Sequence, residues 1–208
     1  MISKDTTTDG GNIPDSQINA QIDVLNADFS STGLTFTLAG VSRTVNPDWY
    51  SNAGPGSTQE RAMKRALRKG GAATLNVYSL GRIPTPNGNL LGHGTFPADY
   101  LRNPSNDGVL LLFSTLPGSS LAPYNLGRTL SSETGHWTGL YNAFQGGCTP
   151  PGDYVADTPA MAKAFIGCPV GRNSCPKRPG LDPIRFCDGG EAARGETCPC
   201  GCGDTGLG

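Results

Sequence analysis

The sequence predicts an α/β (α+β) domain that ends in a small cysteine-tied lobe, and three observations carry that reading. Leu130, Trp137, Leu140, Tyr141 and Phe144 recur at three- and four-residue spacing, the period of an amphipathic helix. Residues 74–80 and 108–116 are short apolar runs, the signature of inner strands of a sheet. All seven cysteines lie at or after Cys148, so disulfides would tie one loop-rich part of the chain in an oxidising compartment. Seven is odd, and one thiol is left over or pairs between chains.

The elements follow in order. Asp15 or Ser16 can cap a helix that places Ile18, Ile22, Leu25 and Phe29 on one stripe. Leu34, Phe36 and Leu38 alternate with threonines, which predicts a strand with one buried face over 34–38. Asn46, Pro47 and Asp48 signal a turn. Ser57-Thr58-Gln59-Glu60 is a capping box ahead of a helix through Ala62, Met63, Ala66 and Leu67, with Gly70 and Gly71 as its stop. Arg61, Lys64, Arg65, Arg68 and Lys69 make that helix basic, which reads as a solvated face. Residues 84–89 are a loop, and residues 90–96 form a further segment around His93, whose imidazole reads as a surface or rim group.

A length of 208 residues fits one domain with room for a sizeable core. Charged residues make up 16% and the net charge is −1, so there is no electrostatic case for nucleic acid or an anionic membrane as partner. No apolar run is long enough to span a bilayer. Thirty glycines and seventeen prolines imply many turns. The first seventeen residues lack an apolar leader, which leaves a mature or truncated fragment or a product kept in the cytosol, and truncation is the expectation.

The stretch 129–148 organises the rest. Glu133 and His136 lie three apart and share one helix face, Gly139 ends the helical preference, and Gly146-Gly147 forces a turn. This pattern resembles H-E-x-x-H-x-x-G-x-x-H, in which three histidines hold Zn²⁺ and the glutamate is the general base. Aligned on Glu133, His136 and Gly139, the first ligand position is Ser132 and the third is Asn142. The segments LGRTL, GHW-x-GLY, FQGGC, GDYV-x-DTPA and GCP-x-GR widen the likeness. Over about 5–184 the chain resembles the secreted fungal pappalysin-like zinc metalloproteases of the metzincin clan.

That resemblance implies a metzincin-like twisted mixed sheet, two helices behind it, an active-site helix under the cleft and a small disulfide-tied C-terminal lobe. It implies a domain at 15–184 after an N-terminal extension at 1–14. It also implies zinc as cofactor, an extracellular setting, a monomer, and a protein or peptide substrate laid along the edge strand near His93. Glu133 becomes the catalytic base and His136 the remaining zinc ligand. By the same likeness Cys148 pairs with Cys175, and Cys168 reaches a later cysteine such as Cys198. Asp153 and Asp157, in a loop rich in carbonyls, offer calcium the oxygen ligands it prefers, and solvated aspartates in a turn fit equally well.

The departures are as informative. The chain has two histidines in all, so a three-histidine site is impossible in any fold. After 181–184 the family's methionine turn is missing, and 185–208 is a divergent glycine- and cysteine-rich tail without apolar periodicity, which predicts disorder. A shifted reading frame near Arg185 would account for it. Cys198-x-Cys200-x-Cys202 is a weak soft-metal pattern, and Ser132 with His136 lacks the G-x-S-x-G elbow of a serine nucleophile. The function expected is therefore that of a zinc metalloendopeptidase homologue, weak or inactive. The alternatives are a peptide-binding pseudoprotease and a decayed or truncated gene product.

Overall fold

The computed structural model describes residues 1–165 and 169–183. These fall into two units, Met1–Thr138 and a second that begins at Gly139.

The first unit is built on a three-stranded sheet of order β3-β7-β6. Strands β3 (Val77–Leu80) and β7 (Val109–Leu112) run parallel, with Val77 opposite Val109. Strand β6 (Gly92–Gly94) is antiparallel to β7, with Gly92 opposite Leu111. Every residue of β7 is buried, as a central strand covered on both faces requires. Val109 and Leu111 meet Leu25, Phe29, Leu116 and Leu130 on one face. Leu110 and Leu112 meet Ile2, Met63, Tyr78 and Leu80 on the other.

Helices supply both covers. Helix α1 (Asp15–Asp28) and helix α5 (Arg128–Thr138) share the first cluster. They are joined by the Arg128–Asp28 ion pair and by the Ser131 hydroxyl, which donates to Asp28. Helix α2 (Pro47–Asn52) and helix α3 (Thr58–Leu67) cover the opposite face through Trp49, Tyr50 and Met63. The helices therefore lie on both faces, where the sequence led us to expect two behind the sheet. The remaining elements are short: β1 (Ile2–Ser3) pairs in parallel with β2 (Thr44–Val45), β4 (Pro84–Thr85) pairs with β5 (Gly88–Asn89), and α4 (Pro97–Arg102) precedes β7.

Local expectations divide along physical lines. Half of the capping box is present: the Glu60 amide donates to Ser57 Oγ at 2.9 Å, while Glu60 Oε2 accepts from Gly56 N at 2.7 Å, one residue before the cap. Asn46 caps α2 by accepting from Trp49 N at 3.0 Å, so the turn signal marks a helix start. Helix α1 starts instead behind Pro14, with no side-chain cap from Asp15 or Ser16. Residues 34–38 form no strand, and Leu34 and Leu38 are exposed. Phe36 is held by Asn26, whose amide side chain donates to its carbonyl at 2.9 Å and accepts from its N–H at 2.7 Å. The basic face of α3 is not wholly solvated. Lys64 is fully buried, paired with Glu60 at 2.8 Å, and donates to the carbonyl of Asn106 at 2.9 Å. Burial lowers the Lys64 pKa from its usual value against the pull of Glu60.

The second unit, from Gly139, is turns and bends over its described residues. Its order comes from the Cys148–Cys175 disulfide and from buried Asp182, which accepts from the amide and hydroxyl of Ser174 at 2.9 Å and pairs with Arg172 at 3.1 Å. Cys168, Cys198 and the tail from Arg185 lie outside the described residues.

Candidate functional site

The candidate site is the C-terminal half of α5 where it meets β6. Leu130 fixes the helix in the core, and Trp137 fixes its far end, donating from Nε1 to buried Asp107 at 2.9 Å. Asp107 also accepts from Thr95 Oγ1 at 3.0 Å and pairs with Arg68 at 3.1 Å. It thereby ties α5 to the residues flanking β6 and to the end of α3. Sequence reading missed this aspartate; it sits in Asn-Asp-Gly, which reads as a turn, and only burial reveals its role.

The helix ends at Thr138, and Gly139 adopts φ 109°, a left-handed value open to glycine at little cost. The helix thus stops where Gly139 was expected to end it, and the periodic Leu140, Tyr141 and Phe144 lie beyond the stop. Leu140 and Tyr141 are exposed.

Glu133 and His136 are both buried on the inner face of α5, whereas Ser132 is exposed. The Glu133 carboxylate is engaged: Oε2 accepts a hydrogen bond from the Gly94 amide at 2.6 Å. Both glycines of β6 are needed for that approach. A Cβ on Gly92 would lie 2.5 Å from Glu133 Cγ, and one on Gly94 would lie 2.4 Å from the Glu133 carbonyl oxygen. The His136 ring packs against Phe96, with centroids 5.3 Å apart. His93 lies between the two glycines on β6, half-buried. Asn142 belongs to the second unit.

Zinc would need three protein donors here, and the residues at the motif positions are one imidazole, one hydroxyl and one carboxamide. Among the described residues no group of three or more His, Cys, Asp or Glu side chains is gathered for a metal. This donor set does not fit a catalytic zinc ion. For calcium, Asp153 is buried, with Oδ1 accepting from Val155 N at 3.1 Å, and Asp157 is exposed.

No family model matches the chain. An extracellular metalloprotease of Pyricularia oryzae is 45% identical over 185 residues, covering 88% of this chain and 62% of that protein. One from Sordaria macrospora is 48% identical over 187 residues, with 88% and 62% covered. This chain thus spans about three-fifths of the length of the curated relatives it matches. Among solved structures, mirolysin in complex with a small compound superposes with a TM-score of 0.61 at 25% identity, covering 84% of this chain and 75% of that one. Mature mirolysin of Tannerella forsythia with a cleaved peptide gives 0.60 at 24%, covering 79% and 70%. The chain is similar to fungal extracellular metalloproteases over about three-fifths of their length, and its mixed α/β fold resembles that of mirolysin.

Proposed function

We propose that this chain is an extracellular metalloendopeptidase homologue whose own peptide-bond hydrolysis is weak or absent. The observation that carries the reading is the composition of the motif face: Ser132, His136 and Asn142 stand where a zinc hydrolase needs three strong ligands. Loss of one outer-shell partner costs about 10–100-fold in metal affinity, and loss of two imidazoles costs more. Glu133, the residue that would serve as base, instead accepts the Gly94 amide and holds β6 against α5. No chemical step is routed through zinc.

A second reading, a peptide-binding pseudoprotease, is favoured by one observation. Among the described residues strand β6 ends its sheet, and although Glu133 takes its Gly94 amide, a sheet edge can add an extended peptide without any catalysis.

Zinc content and chelator-sensitive casein cleavage test the first reading. The purified protein should hold far less than one zinc and show no cleavage that a chelator abolishes. Stoichiometric zinc with chelator-sensitive turnover refutes it. Ser132→His combined with Asn142→His should raise zinc affinity by at least about 100-fold over the unmodified chain. Peptide binding without turnover supports the second reading.

A further inference from the structure

Strand β6 and its flanking residues pair with β7 through odd-numbered positions. Leu112 N donates to Leu91 O at 2.8 Å and Thr95 N donates to Gly108 O at 3.4 Å, on either side of the His93–Leu110 pair. By the alternation of an antiparallel ladder, the main-chain groups of Gly92 and Gly94 point away from β7. Among the described residues no strand lies on that side. A strand added antiparallel there would exchange both of its main-chain bonds with Gly92 and both with Gly94.

One of those positions is already taken. Glu133 Oε2 accepts the Gly94 N–H at 2.6 Å, in the place that a carbonyl oxygen of an added strand would occupy. The carboxylate reaches the edge from the face of the sheet, where Leu130 of α5 packs with Val109 and Leu111. At both glycines the three atoms nearest a Cβ position belong to Glu133. Glu133 is 3% exposed, so its charged acceptor is shielded from water, and a competing carbonyl has to displace a charge-assisted bond.

We propose that Glu133 is an intramolecular plug of the β6 edge. It holds the Gly94 amide that an extended peptide needs, and the peptide adds antiparallel along 92–94 once the carboxylate arm swings aside. The proposal rests on the peptide-binding reading of β6. The partner is recognised by its main chain: an extended segment with free N–H groups at alternate residues, whose carbonyl replaces the carboxylate on Gly94 N. Gly92 belongs to the same device. A Cβ there would lie 2.5 Å from Glu133 Cγ, so bare main chain at 92 is what lets the arm lie against the strand.

Two substitutions lift the plug by different routes. Glu133→Ala removes the arm. Gly92→Ala keeps the glutamate and pushes its flexible arm off the amide, and Gly92 lacks the left-handed φ that would strain an alanine. The probe is an acetylated and amidated hexapeptide of alternating threonine and valine, titrated calorimetrically onto the full unmodified chain and onto each variant, with amide hydrogen exchange as the local readout. Without peptide, Gly94 should exchange about tenfold faster in both variants, while the Val109 and Leu111 amides, which face β3, keep their rates. The peptide should bind both variants about tenfold more tightly than the unmodified chain and restore slow exchange at Gly94. The same peptide methylated on every main-chain nitrogen should not bind. Should one variant lose protection at Val109 and Leu111, it has unfolded and the other decides. Equal affinity for the unmodified chain and the folded variants overturns the plug and leaves the peptide-binding reading standing. Binding to none of them, or binding that leaves Gly94 exchange fast, overturns both.

Discussion

Residues 1–138 bury leucines, isoleucines and valines on both faces of a sheet, whereas the described residues from 139 onward bury Met161 and Cys175 as their apolar side chains. In that second stretch Tyr154, Val170 and Leu181 stand exposed. The first unit is held by apolar burial that the hydrophobic effect rewards wherever periodicity is right. Among its described residues the second is held by the Cys148–Cys175 link and by the buried carboxylates of Asp153 and Asp182. The difference teaches that the helix carrying Glu133 and His136 depends on the part of the molecule that folds by burial, while the third motif position, Asn142, lies in the part that folds by cross-linking.

The largest expected effect separates charge from apolar burial within the first unit. Lys64→Met leaves Glu60 buried without its partner and should cost about 3–5 kcal/mol in denaturant unfolding. A loss below about 1 kcal/mol would mean that the pair is solvated. Next, Cys148→Ser with Cys175→Ser opens a link of sequence separation 27 and should remove about 3–4 kcal/mol of restraint from the second unit. Limited proteolysis should then cut within 139–183 while the unfolding midpoint of the first unit stays put. A shared loss in both would erase the contrast drawn here. Ser57→Ala removes the α3 cap and should cost about 1 kcal/mol.

The sequence was most legible where burial and local chemistry agree. β7 lies within a continuous apolar run, the α3 cap within a capping box, and the α5 stop at a glycine. The Cys148–Cys175 link, implied by likeness alone, is present. Reading failed where one side chain replaced a backbone partner. Alternation at 34–38 looks like a strand, but Asn26 takes both main-chain groups of Phe36, and among the described residues 34–38 pairs with no strand. It failed again where charge is buried, since Lys64 and Asp107 resemble surface residues in any one-dimensional pattern. Of the site, Glu133 and His136 were legible as a pair on one face. The Gly94 amide as the partner of Glu133 was not, because it comes from a strand 39 residues earlier in the chain.

The contact between β6 and Glu133 has a consequence for descent. Main chain meets carboxylate with no side-chain filler, so neither partner can enlarge alone: a methyl group on Gly92 collides with the carboxylate arm, and one on Gly94 collides with the helix backbone. Drift at 92, 94 or 133 is therefore coupled, and the three positions should be inherited, or abandoned, as a single unit even in lineages where hydrolysis is no longer under selection.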